Sequence, residues 1–334
     1  MKMSQISLYP LRFEPIYQYR LWGGRHLSEL FSKPLPGNEP VGEAWILSDR
    51  DDHQSLVADG SLRGIGIGEL MKQAPEQLMG KLAGRFERFP LLLKFLDVHE
   101  MLSVQVHPSN ANADLIPPGE SAKTEAWVVL QSGPRSRIFA GLKPGTTEEN
   151  LREALQDGMV EDRLPYFTPE AGDGVLIPAG TVHALGGDVV VFEVQQNSDV
   201  TFRLYDWNHI DPKTGKSREL QVDKALASID FDQGIIAPVL PVPEDNLLVH
   251  RERLFQCDYF DLWRLQGKSR FMVGEVEMPH LLVCTHGEGT LIYKALPYPI
   301  TKGDLLLLPA IIGVCFCDPV DAITLLEISI PEGA

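Results

Sequence analysis

Gln105 and His107 stand two apart in LSVQVHP, residues 102–108. On an extended strand both side chains leave one face, while Val104 and Val106 turn to apolar packing on the other. The same period of two in SAKTEAWVV puts Lys123 and Glu125 on one face. A third signal is GDGVLIPAGTVH at 172–183: a turn, a short apolar strand, a turn at Pro178 and Gly180, then His183 opening the next strand. Together Gln105, His107, Glu125 and His183 offer two imidazoles, a carboxylate and an amide oxygen. Three strong N/O donors and a weak one, with room for water or substrate, is how an open catalytic zinc site is built. A lone histidine in a β-rich chain is more often structural, so the weight rests on the set of four. His26, His53, His209, His250, His280 and His286 have no paired spacing and read as ordinary surface or core residues. His99 lies close enough to Lys94 in sequence to be weighed as a pocket member.

The elements that must position these residues are mostly strands. The 29 glycines and 25 prolines punctuate many short apolar runs, the pattern of a β-sandwich or barrel. Strands are expected at 41–48, 90–96, 101–107, 124–131, 174–178, 188–195 and 200–205. Further ones fall at 260–266, 271–277, 280–285, 289–294, 304–309, 313–317 and 322–328. Helices are expected at 66–79, from Thr146 with Glu149 three residues on as a capping box, and at 218–228. Residues 232–245, with Pro238, Pro241 and Pro243, read as a linker or crossing strap. Each half carries a similar phrase, GDGVLIPAG at 172–180 and KGDLLLLPA at 302–310. Trp22-Gly23-Gly24 reads as an aromatic anchor with a permissive turn. Cys257, Cys284, Cys315 and Cys317 form no C-x-x-C pair and read as buried strand residues of a reducing cytosol.

The 172–183 phrase resembles the second sequence motif of the cupin superfamily, whose barrels hold a divalent metal at that position. With it, LWGG at 21–24, PLLLKFLD at 90–97, LSVQVHP at 102–108, KTEAW at 123–127, IPAGTVHALG at 177–186 and SDVTFRLYD at 198–206 resemble the type I phosphomannose isomerases. The resemblance spans much of 15–206, in order. It implies one zinc per chain on Gln105, His107, Glu125 and His183, and catalytic pocket residues at Lys94, Lys123, Asp199 and Arg203. Longer members insert a helical domain between the Glu and second His ligands; the short interval between Glu125 and His183 implies a short bacterial-type form. One departure is Val200, where the family often has Asn.

The implied fold is mainly β: two cupin-like jelly-roll units with few helices, a catalytic unit at 1–235 and a metal-free unit at 236–334. The implied reaction interconverts mannose 6-phosphate and fructose 6-phosphate through an enediol or enediolate. Lys94 is the first choice for the base, with Lys123, His99 and Asp199 as alternatives, because burial and a nearby cation depress a lysine. Arg203 and Lys123 would meet phosphate or developing charge. The alternatives are an isomerase of another sugar or sugar phosphate, or a non-catalytic sugar-binding cupin. A cupin oxygenase is disfavoured by Gln105, and a guanylyltransferase fusion by the missing Gly-rich nucleotide loop.

Lys and Arg total 30 against 46 Asp and Glu, a net charge of −16 that repels nucleic acid and anionic membrane surfaces. An anionic substrate therefore needs a local cationic pocket. The start, MKMSQISLYPLRFEP, has no apolar leader core, and no run approaches a transmembrane span. The expectation is a cytoplasmic enzyme, monomer or dimer, whose partner is a small sugar phosphate.

Overall fold

The computed structural model describes residues 6–244 and 248–333. The first five residues of the stretch weighed as a leader, and residue 245 of the strap, lie outside them. The chain is mainly β, built on three large antiparallel sheets. A six-stranded sheet runs Ile16–Gly24, Val41–Leu47, Leu91–Val98, Val189–Gln196, Glu125–Gln131, Gly174–Ile177. A five-stranded sheet runs Phe202–Tyr205, Val104–Val106, His183–Gly186, Arg137–Ala140, Tyr166–Phe167. An eight-stranded sheet is built entirely from strands between Val242 and Ser329.

Alternation along the six-stranded sheet decides what faces where. Leu91, Leu93, Phe95, Ala126, Val128, Val190, Phe192 and Val194 turn outward into one continuous core. That core includes the 67–82 helical segment and Leu254, Leu262, Leu281, Val283, Leu307 and Ile328 of the third sheet. The intervening residues turn inward towards the five-stranded sheet. There Leu96, Val98, Trp127, Val129, Val189 and Val191 pack with Ile138, Ala140 and Leu185. Each fully buried residue of this size contributes about 1.5–3 kcal/mol. Charged residues on the same inward face are thereby carried into the gap between the sheets. Val104 and Val106 point the other way, into a cluster with Phe139, Leu151, Phe202 and Leu226.

Several elements differ from expectation. The single helix at 66–79 is two, Ile67–Gln73 and Pro75–Met79, because Pro75 removes a backbone donor and biases Ala74 away from helix. The capping box lies one residue later, Thr147 with Asn150, opening Glu148–Gln156. The 218–228 helix shortens to Val222–Ser228. Paired short strands merge into His280–Tyr293 and Cys315–Ser329, continuing through register shifts near Gly287. Ile16–Gly24, Arg137–Ala140 and His250–Gln256 form strands without an apolar run to announce them.

The strap does cross the first sheets: Ile236 N donates to Ala140 O and Val239 N to Gly174 O. Cys284, Cys315 and Cys317 are buried in the third sheet's core, where burial pushes each thiol up to about 12. Among the described residues no helix is long and apolar enough to cross a membrane.

Candidate metal centre and its cavity

Strand register assembles the centre. His183 is the cross-strand partner of Gln105, and Gln105 on its other side is the partner of Arg203. His107 sits one residue past its strand, and Glu125 opens a strand of the facing sheet opposite Gln195 and Ile177. The two sheets bring His107, Glu125 and His183 together so that one ligand atom from each lies within 4.8 Å of the others. Glu125 Oε2 is 3.3 Å from His107 Nε2, and Glu125 Oε1 is 3.3 Å from His183 Nε2.

The second nitrogens orient these rings. His107 Nδ1 donates to Val200 O at 2.9 Å, and His183 Nδ1 donates to Thr181 O at 2.9 Å. A carbonyl can only accept, so each proton sits on Nδ1 and each Nε2 lone pair faces the centre. Gln105 Nε2 stands 3.1 Å from His183 Nε2; a half-turn of the amide presents its oxygen there instead.

Electrostatics sets the protonation needed for ligation. Burial, reinforced by the Lys123 charge, pushes His107 down to about 3, and burial lowers His183. Burial works against the Glu125 charge, yet the Lys123 ammonium beside it holds that carboxyl well below the usual range. At neutral pH the centre is thus two neutral imidazoles and a carboxylate, the states a divalent metal requires. Both Glu125 oxygens are buried and neither accepts a hydrogen bond of good geometry, although Lys123 Nζ lies 2.8 Å from Oε2. Orphaned carboxylate oxygens beside converging lone pairs fit a bound cation.

A cavity of about 390 Å³ adjoins the centre. It is lined by Lys94, Gln105, Lys123, Asp199 and Arg203, so all four pocket residues implied by resemblance border one space. Lys123 Nζ also lies 3.1 Å from His107 Nε2, which makes it a neighbour of the metal donors. Burial disfavours the Lys123 charge, but Glu125 and Glu193 outweigh it and raise its pKa, opposite to the depression expected of a buried lysine. Lys94 is buried 3.3 Å from Glu193 Oε1, with its ammonium over the Trp45 ring. Asp199 is exposed at the rim, its backbone N donating to Glu120. His99 is not part of the cavity lining; it is half-exposed and pairs with Asp188 on the surface.

Sequence reasoning missed the partners of these groups. Glu193 is buried on a central strand, where Trp127 Nε1 donates to it at 2.8 Å. Burial and the Glu125 charge raise the Glu193 carboxyl. Glu43 accepts from Trp45 Nε1 at 2.6 Å and from Arg20 at 2.8 and 3.2 Å. Burial opposes its ionisation, but Arg20 and Lys94 bring it to about 2. The available signal was one charged residue inside an otherwise apolar strand, in VVVFEVQQ and VGEAWIL. The pocket is also less cationic than expected: Arg20, Lys94, Lys123, Arg203 and Arg218 face Glu43, Glu193, Asp199 and Asp211.

The comparisons with known proteins agree with one another. The family described as phosphomannose isomerase type I, catalytic domain, matches residues 11–128. The chain is 35% identical over 314 residues to the mannose-6-phosphate isomerase ManA of Bacillus subtilis (strain 168), covering 91% of this chain and 94% of that protein. It is 32% identical to the mannose-6-phosphate isomerase of Streptococcus mutans, covering 90% and 92%. The crystal structure of the mannose 6-phosphate isomerase from Bacillus subtilis superposes with a TM-score of 0.87 at 29% identity, over 96% of this chain and 99% of that one. With near full-length similarity at that identity, the chain is an enzyme of the type I phosphomannose isomerase family.

Proposed function

We propose that the chain is a zinc-dependent isomerase that interconverts mannose 6-phosphate and fructose 6-phosphate by proton transfer through an enediol or enediolate. The observation carrying this reading is the convergence of His107, Glu125 and His183 beside a cavity that holds Lys94, Lys123 and Arg203. These N/O donors, with Gln105 as the weak fourth, suit zinc among the divalent metals. A metal held there supplies Lewis-acid polarisation of the substrate carbonyl.

The chain's own groups do the rest. Lys94 and Glu193, 3.3 Å apart, handle the proton between C1 and C2, with burial raising the Glu193 carboxyl. Lys123, protonated and beside the metal donors, faces the charge that grows on oxygen. Asp199, at the rim, meets sugar hydroxyls. The catalytic unit is placed at 1–235 and a metal-free unit at 236–334. Support for that division is that the third sheet is built only from the second segment. The buried Glu327 of that sheet pairs with Arg251 at 3.0 Å and lies 3.3 Å from His280 Nδ1.

A coupled assay on mannose 6-phosphate tests the reading. Arg203→Lys and Lys123→Ala should each cut kcat/KM by about 10²-fold, about 3 kcal/mol, with metal content near one per chain. Free mannose turned over as well as the phosphate, with neither variant impaired, would favour an isomerase of another sugar.

A further inference from the structure

Between the strands Val189–Gln196 and Phe202–Tyr205 the chain passes through 197–201 with no ladder of its own. Val200 in this stretch supplies the carbonyl that takes the His107 Nδ1 proton at 2.9 Å. The orientation of the His107 ring therefore follows the position of the stretch.

A carboxylate that does not line the cavity fixes that position. Glu120 Oε2 accepts from Asp199 N at 3.0 Å and lies 3.1 Å from Ser198 Oγ. Ser198 is fully buried; its hydroxyl oxygen is also 2.8 Å from Ser121 O and accepts from Val200 N at 3.4 Å. One acceptor thus holds the two residues that lead into Val200. Glu120 is itself held by Arg50, whose Nη2 meets Oε1 and whose Nη1 lies 3.1 Å from Oε2. The same Nη1 donates to Asn197 O at 3.4 Å. Burial opposes the Glu120 charge, but Arg50 and the Asp199 N–H outweigh burial and lower the carboxyl. Hydrogen bonds to an ionised acceptor are about twice as strong as neutral ones, so an anionic Glu120 grips the stretch more firmly than an amide would.

We propose that Glu120, clamped by Arg50, is a positioning residue for the metal centre: it sets the 198–200 segment so that Val200 O orients His107 and metal binding tightens. This rests on the metal centre of the isomerase reading above and gives the carboxylate a role through His107, not through the substrate.

Zinc release from the loaded enzyme to a chromogenic chelator measures the effect. Glu120→Ala should raise the zinc dissociation constant about tenfold, the lower end of the range for partners of metal ligands. Glu120→Gln keeps an acceptor for Asp199 N without the charge and should fall between wild type and Glu120→Ala. In proton NMR the His107 Nδ1 proton should exchange with water faster in Glu120→Ala than in the wild type. A residue that merely braces the fold would lower the melting temperature of the metal-free chain and leave zinc affinity and that exchange unchanged, and this result overturns the proposal. Where Glu120→Ala does not fold, Glu120→Gln carries the same test. Unchanged zinc affinity with normal turnover of mannose 6-phosphate sinks the positioning role and spares the isomerase. Glu120-dependent zinc affinity in a chain that does not turn over mannose 6-phosphate does the reverse.

Discussion

A histidine ligates through whichever ring nitrogen its other nitrogen leaves free, and here both choices are made by backbone carbonyls, Val200 O and Thr181 O. Loss of a donor should therefore empty the centre instead of loosening it. His183→Ala and Glu125→Ala should lose metal and activity together in metal analysis and a coupled assay; a fully loaded, active variant would contradict the ligand set. The same burial fixes a pH dependence. Both imidazoles lie below their ordinary value of 6.5 in the folded chain, His107 at about 3. Below about 6.5 the unfolded chain binds protons that the fold refuses, so the metal-free protein should lose stability as pH falls towards about 3. Denaturant midpoints at pH 7, 6 and 5 check this, and a flat profile would count against neutral buried histidines. The four candidate ligands were legible because period-two spacing and a turn before His183 are local patterns. Glu43 and Glu193 were not, because their meaning comes from partners on other strands.

At the scale of elements, sheet register does the positioning, and its tightest point is the first strand. An added Cβ at Gly23 would stand 2.5 Å from Gly42 N, a backbone atom of the neighbouring strand. Gly23→Ala should thus force apart the two strands that carry Arg20 and Glu43, costing about 1–3 kcal/mol. Thermal or denaturant melting measures it; an unchanged midpoint would mean the strands yield freely. Trp22 next to it is buried as an anchor and its carbonyl accepts from His99 N and Glu100 N, but Gly23 and Gly24 continue the strand instead of turning. Apolar strands such as Leu91–Val98 and Val189–Gln196 were readable because they are buried on both faces. Ile16–Gly24 escaped notice because its residues are mostly half-buried and form no continuous apolar run, so its pairing is set by the neighbour. The long strands His280–Tyr293 and Cys315–Ser329 looked like separate pieces because bulges and turn residues interrupt their apolar pattern without ending them.

For the whole molecule, a net charge of −16 and a site for an anionic sugar are reconciled by segregation, not by a strongly basic pocket. Glu43 pairs with Arg20 and Glu193 with Lys94, and Arg203 in the same cavity makes no ion pair among the described residues. The third sheet shares its core with the outer face of the six-stranded sheet through Leu281, Leu307 and Ile328, so it braces the strands that hold Lys94, Glu125 and Glu193. The central claim is that this frame holds a metal that works on a phosphorylated sugar. It is tested most directly by measuring bound zinc and mannose 6-phosphate turnover on the same purified sample, before chelation, after it, and after zinc is returned. The account predicts about one zinc per chain, loss of turnover with loss of metal, and recovery of both. Full turnover in a demonstrably metal-free sample would contradict it.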